Sequence, residues 1–354
     1  MNRENTAAGS EPQHQRRARY TGTHPKTYEE KYKELQPEQY SDDVARIIEK
    51  GRTPVGMHIP ICVKEILDFL QIEPGQTGLD ATLGYGGHTL EMLKCLNSEG
   101  RLYALDVDSL QLPLTKDRLA RLGYGPELLD IRQMNFSDID RIVSESGPFN
   151  FMLADLGVSS MQLDNPERGF SYKKDGPLDL RLNQEIGSSA ADRLKEMTQE
   201  ELEGMLIENS DEPYSAVIAR AIFSNIKKGN DIETTTQLRY IIKEALKAVP
   251  KISEDDKNKS CQRCFQALRI DVNNEFEALD AFLEKLPGAL AKGGRVAILS
   301  FHSGEDRLVK KSFKQFCREG IYREIAPEPI RPSAEECFLN SRAHSAKLRW
   351  AIKA

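Results

Sequence analysis

Three short, largely apolar runs each stop on an aspartate: Thr77–Asp80 (TGLD), Arg101–Asp106 (RLYALD) and Phe149–Asp155 (FNFMLAD). Runs of this length read as strands covered on both faces, and helices cover both faces of a sheet mainly when its strands are parallel. The terminal carboxylates matter as well, because open α/β sheets bind ligands in the crevice outside the carboxyl ends of their strands. The chain is therefore expected to form a parallel α/β sheet with its chemistry at the strand tips.

The connections support that reading. After Asp80 comes a turn with Gly84, Gly86 and Gly87, then a helix with Leu90, Leu93 and Leu96 on one side. Glycines there let backbone approach a ligand, and the helix start offers free N–H groups. The turn lacks the GxGxxG dinucleotide fingerprint, and by itself it fits an ordinary tight connection too. Asp106 lies about twenty residues on, where doubly wound folds set a carboxylate on ribose hydroxyls. Together the two features point to an adenosine-type cofactor. A third strand is expected over 128–134, leading to Phe136, which either flanks an adenine or fills the core.

Beyond Asp155 the chain spends more than twenty residues on polar sequence with Asn165, Arg168, Phe170, Tyr172 and Asp175. A loop that long inside a compact domain is functional or disordered, and its aromatic and charged content favours an active-site wall. Residues 188–250 then read as short amphipathic helices broken at Glu212-Pro213 and Lys228-Gly229. The sheet pattern returns with a helix over 276–286, a Gly293-Gly294 turn, a buried strand over 295–301 ending at His302, and closing strands over 322–326 and 347–353. A helical block is thus inserted between two core strands, leaving a crevice for a large substrate. Arg342, His344, Lys347 and Arg349 form a basic strip near the end.

Composition sets outer limits. At 354 residues the chain has room for two domains. With 49 Lys+Arg against 55 Asp+Glu, a net charge of −6, any nucleic-acid contact must come from local patches. Six scattered cysteines and no secretory segment fit a reduced cytoplasm. Cys261 and Cys264 form a lone CxxC with no second pair for zinc, read as small residues at a helix start, and no metal is expected. No apolar run is long enough to cross a bilayer. Residues 1–50 are polar, with a basic cluster (Arg16, Arg17, Arg19, Lys26) before an acidic stretch, and read as a partly disordered extension.

The run DATLGYGGH from Asp80, the stretch DLGVSSMQLDNPERGFSYKKDGPLDLRL from Asp155, FQALRI from Phe265, SFHS from Ser300 with Glu305-Asp306-Arg307, and the segment from Arg342 to Arg349 closely resemble the RsmH (MraW) family. The resemblance runs from about His58 to the C-terminus. It departs at Gly304, Cys264 and His344, where the family commonly has Leu, Thr and Arg. It implies a Rossmann-like S-adenosylmethionine-dependent methyltransferase core, residues 51–162 and 271–354, with an inserted all-helical domain; residues 163–270 hold the active-site loop and this helical substrate-recognition domain. The implied reaction is methylation of the N4 amino group of a cytidine in the decoding region of 16S ribosomal RNA, within the small ribosomal subunit; a homodimer stays open.

The resemblance places S-adenosylmethionine on Gly86, Gly87, His88, Asp106, Phe136, Asp155 and Gln162. For catalysis, a nearby acceptor would stabilise charge on the attacking nitrogen: Asp155 first, then Ser159, Ser160 or His302. Arg168, Phe170 and Tyr172 are candidates to hold an everted base, with packing onto the helical block as the competing role. Lys173, Lys174, Arg269, Lys310, Lys311 and Arg349 are candidates for phosphate contact. A nicotinamide oxidoreductase or a non-catalytic ribosome-binding protein on the same scaffold would share part of the pattern.

Overall fold

In a computed structural model of the chain, residues 60–354 are described. The N-terminal extension and its basic cluster lie outside them. A seven-stranded sheet has the order β3-β2-β1-β4-β5-β7-β6, formed by β1 (Thr77–Asp80), β2 (Arg101–Asp106), β3 (Leu129–Gln133), β4 (Phe149–Asp155), β5 (Leu290–Ser300), β6 (Tyr322–Ile325) and β7 (Lys347–Lys353). Strands β1 to β5 pair in parallel, and β7 runs antiparallel between β5 and β6. The parallel sheet and both closing strands follow the sequence expectation.

Strand alternation feeds two cores. On one face Leu79, Leu105, Met152, Ala154, Val296 and Ile298 pack under α4 (Ile139–Ser146), α11 (Glu275–Ala289) and α12 (Ser303–Arg318). On the other, Leu102, Ala104, Phe151, Leu153, Ala297 and Leu299 meet α1 (Val63–Leu70), α2 (Gly87–Leu96) and α3 (Gln111–Arg121). Side chains of period two sort themselves this way on any two-sided sheet. At Gly78 the packing is so close that an added Cβ would meet the Phe151 ring at 2.1 Å. Gly78→Ala is expected to cost about 1–3 kcal/mol through overpacking, read as a lower urea midpoint. An unchanged midpoint would mean that the ring moves aside freely.

Between β4 and β5 a third core forms around Leu194, Leu206, Ile218, Leu238, Cys264 and Leu268. Its helices are α6 (Ala190–Glu196), α7 (Gln199–Ser210), α8 (Ser215–Lys227), α9 (Thr235–Leu246) and α10 (Glu254–Asn273), following the short α5 (Ser160–Asp164). Capping boxes at Ser189, Thr198 and Thr234 satisfy exposed N–H groups and start three of these helices. Cys261 and Cys264 lie inside α10, not at its start; both thiols are free and buried as small apolar side chains. The loop after α5 belongs to this core through Phe170, Leu178 and Leu180. Among the described residues no helix is long and apolar enough to cross a membrane.

Candidate active site

β1 and β4 are hydrogen-bonded neighbours, with β2 and β3 on one side and β5 on the other. Chain direction across the sheet reverses between β1 and β4, so their carboxyl ends flank the crevice where such sheets hold ligands. The tips of β1, β2 and β4 carry Asp80, Asp106 and Asp155. Asp80 is buried, accepting from Thr89 Oγ1 at 2.6 Å and the Thr82 amide at 3.1 Å, and burial pushes its carboxyl above the ordinary range. Thr82 in turn accepts from the Asp155 amide at 2.6 Å. The β1 tip and the β4 tip are therefore fixed to each other.

The glycine turn is shaped by the same contacts. Gly86 has φ +75°, a backbone that side chains rarely adopt, and caps α2. Thr115 Oγ1 donates to the Gly84 carbonyl at 2.8 Å, and the Arg118 guanidinium donates to the Tyr85 carbonyl and lies over the Tyr85 ring. Asp106 receives the Gly84 amide at 2.7 Å and the Asp108 amide at 2.9 Å. Burial nevertheless pushes its carboxyl up to about 6, against the effect of those two amides. Each carboxylate oxygen keeps a further lone pair, which leaves capacity for ribose hydroxyls.

Asp155 is the least satisfied of the three. Its Oδ2 lies 3.5 Å from His88 Nδ1, while Oδ1 is buried with no hydrogen-bond partner among the described residues. Burial pushes this carboxyl up to about 6, and the charges of Asp80 and Glu305 act in the same direction. His88 is buried and holds the Ile61 carbonyl through Nε2 at 3.0 Å. In the neutral ring that leaves Nδ1 as the acceptor facing Asp155. The charges of Asp80 and Glu305 around Asp155 make this a crevice that favours a cation, and a sulfonium is one. The unpartnered Oδ1 and the acid-lined strand tips thus fit a sulfonium nucleoside.

Other predicted residues have different placements. Gln162 is at N3 of α5, bonded to the Ser159 amide at 2.7 Å and donating to Asp108 Oδ2 at 2.7 Å. Ser159 caps that helix and donates to Gln111 at 3.0 Å, so its hydroxyl is engaged in structure rather than aimed at a substrate. Phe136 packs edge-on to Phe282, at 5.2 Å between ring centroids, on the rim of the core. His302 caps α12, with Nε2 3.0 Å from Glu305 Oε1, beside the β4 tip. Burial alone would raise the Glu305 carboxyl, but the His302 hydrogen bond and the Arg269 charge hold it below its ordinary value. Gly304 lies under Phe276, where a Cβ would come within 2.5 Å of the ring, so its small size is matched by a neighbour.

The proposed base holders are corrected by burial. Arg168 is 4% exposed, donating to Asp108 Oδ2 at 2.8 Å and to the carbonyls of Arg181 and Leu182. Phe170 lies in the core of the helical block. Tyr172 is half-buried against Phe265, 5.8 Å between centroids. Phe170 and Tyr172 pack onto the block, whereas Arg168 pins the loop to the β2 tip. Two proposed phosphate contacts are corrected too: Arg269 makes a bidentate pair with Glu275, both bonds 2.8 Å, and Arg349 is buried against Asp306 at 2.6 Å. Lys347 also pairs with Asp306, and Arg342 with Asp164, so the basic strip is largely neutralised.

Asp108 is the residue that the strand-tip reading passed over. Buried at 1% exposure, it accepts from Gln162, Arg168 and the amides of Leu110 and Gln111. It ties the β2 tip, the start of α3 and the long loop into one unit. The second acid in LDVD was the available signal.

The sheet order, the acid-tipped strands and the glycine turn define a Rossmann-like S-adenosylmethionine-dependent methyltransferase. More particularly, the chain belongs to the MraW methylase family, whose profile matches residues 56–354. It is 72% identical over 345 residues to ribosomal RNA small subunit methyltransferase H 2 of Alkaliphilus metalliredigens, covering 97% of this chain and 99% of that one. Identity is 66% to ribosomal RNA small subunit methyltransferase H 1 of Lachnoclostridium phytofermentans, over 97% of this chain and 94% of that one. Among solved structures, it is similar at 12% identity and TM-score 0.40 to a SAM-dependent O-methyltransferase of Thermotoga maritima, over 88% of this chain and 71% of that chain.

Proposed function

We propose that this protein methylates the N4 amino group of a cytidine in the decoding region of 16S ribosomal RNA, with the cytosine nitrogen attacking the methyl directly. Support for the RNA substrate comes from relatives named for small-subunit ribosomal RNA that align along nearly the whole chain. The observation that carries the chemistry is the buried, unpartnered Oδ1 of Asp155 at the switch point of the sheet.

S-adenosylmethionine supplies a methyl already activated on a sulfonium. The residues proposed to hold it are Gly86, Gly87, His88, Asp106 and Phe136, with Gln162 acting through Asp108 and the α5 cap. What the chain has to supply is alignment, exclusion of water and an acceptor. The amino lone pair of cytosine is delocalised. As the nitrogen bonds to the methyl carbon and the carbon–sulfur bond breaks, the positive charge would pass from the sulfonium to the nitrogen and leave a neutral thioether. The Asp155 carboxylate, 29% exposed at its side chain, offers an acceptor for one of the nitrogen's protons, which stabilises that charge where it develops. His88 lies beside the other oxygen, 3.5 Å away. His302, engaged with Glu305, is assigned to positioning of the loop beside Asp155. No nucleophilic cysteine is required, because the attack comes from an exocyclic nitrogen.

Tritium transfer from labelled S-adenosylmethionine to undermethylated small subunits, followed by mass spectrometry of the ribosomal RNA, tests the reading. Label in N4-methylcytidine is the expected result; no transfer, or label on another atom, would refute it. Asp106→Ala is expected to weaken cofactor binding about 10- to 100-fold, the usual effect of losing hydrogen bonds to a charged group, while unfolding stays cooperative. Calorimetry showing native affinity would remove Asp106 from the ribose.

A further inference from the structure

Arg168, Arg269 and Arg349 are engaged inside the protein, so an RNA substrate needs cations elsewhere. α9 provides them on one side: Arg239, Lys243 and Lys247 recur every fourth residue, about 6 Å apart along the axis. Lys257 of α10 faces them across a groove of about 380 Å³. Tyr240, in the wall of the groove, is 66% exposed, so its ring is open to a ligand.

The active-site loop feeds directly into this face. Thr235 Oγ1 donates to the Lys174 carbonyl at 2.8 Å and the Thr235 amide to the Gly176 carbonyl at 3.0 Å, pinning exposed Lys173 and Lys174 beside the start of α9. The same loop is anchored at Arg168 to Asp108, at the rim of the cofactor crevice. The positive ridge is therefore joined to the crevice by a loop fixed at both ends.

The facing carboxylates are few. Glu254 is 3.5 Å from Lys243 and 2.8 Å from Lys257, Glu244 is 2.6 Å from Lys247, and Asp175 bonds to Thr236. Asp255 and Asp256 pair instead with Lys259 and the Ser253 cap. Six cations against three carboxylates leave an excess of positive charge on a chain whose formal net charge is −6. The Lys247–Glu244 pair is solvent-exposed and worth little, so a phosphate can replace that carboxylate at small cost, and Glu254, itself exposed, sits at the outer edge of the partly buried Lys243 and Lys257.

We infer that the face of α9, with Lys173 and Lys174, is the docking surface for the phosphate backbone of the RNA substrate, and that Tyr240 stacks on an unpaired base. This rests on the ribosomal RNA reading above and adds to it where the RNA is held. Exposed aromatic rings among cations are how proteins grip unpaired strands.

Binding of the full-length protein to undermethylated small subunits, measured over roughly 50–200 mM salt, tests it, because each phosphate contact lowers the slope of log affinity against log salt by about 0.7. The triple variant Arg239→Ala, Lys243→Ala, Lys247→Ala is expected to bind more weakly with a slope shallower by about 2. Tyr240→Ala is expected to weaken binding about tenfold while leaving the slope alone. Both should keep native S-adenosylmethionine affinity and native thermal unfolding. Native affinity and slope in the variants, or no binding of the native protein, overturns the docking surface. Tritium transfer by the native protein is followed in parallel: binding without transfer overturns the methyltransferase reading and leaves the surface to the salt slopes.

Discussion

Asp155→Asn should slow methyl transfer to small subunits by about 10²- to 10⁴-fold, the usual range for losing a positioned proton acceptor. The amide keeps the shape of the side chain, so cofactor affinity should change far less than the rate. The carboxyl is pushed up by burial to about 6, and kcat/KM of the native protein should fall as pH drops through that value and the acceptor becomes protonated. Stability should move the other way. Between the ordinary carboxylate range and about pH 6 the native state holds a proton that the unfolded chain has released, so acidification through this window stabilises the fold. Asp106, raised by burial to about 6 as well, adds to both trends. Asp306 and Glu305, held below their ordinary values, begin to destabilise the native state only at lower pH. An Asp155→Asn enzyme with native turnover, or an activity profile flat from pH 7 to 5, would remove Asp155 from the chemistry.

The largest stability effect should come from the pair that the strand-tip reading passed over. Arg168 and Asp108 are 5% and 1% exposed at their side chains and 2.8 Å apart. Removing one partner leaves a buried charge uncompensated, at a cost of about 3–5 kcal/mol. Asp108→Ala should cost more than Arg168→Met, because it also strips Gln162 and two α3 amides of their acceptor. The double variant should lose less than the two single losses combined, since each removes part of the same interaction. Urea midpoints at neutral pH measure all three. A loss below about 1 kcal/mol for Asp108→Ala would mean that water replaces the pair.

The sheet could be read from the chain because buried strands and their covering helices leave local marks: TGLD, RLYALD and FNFMLAD are the observed β1, β2 and β4. Asp80, Asp106 and Asp155 converge as expected because parallel strands in register bring like ends together. The roles of Arg168, Phe170, Arg269 and Arg349 could not be read in the same way. In sequence a charged or aromatic residue looks the same whether it faces solvent or a partner far along the chain, and the partners of Arg168 and Arg349 are Asp108 and Asp306. The cations of α9 were hidden for the opposite reason: their four-residue spacing is that of any solvated helix face, and only the neighbouring loop and the open groove distinguish it.

The insertion of the helical block between β4 and β5 also bears on how the chain is made. These strands are adjacent in the middle of the sheet, with Asp155 level with Leu299, yet more than a third of the polypeptide emerges from the ribosome between them. Closing so long a segment carries an entropic penalty that a block already collapsed on its own apolar centre reduces, because its ends are then held nearer each other. During synthesis the β4 tip therefore waits, edge unpaired, until the block has condensed and β5 arrives. The enzyme's own birth passes through a stage in which half its crevice exists without the other half.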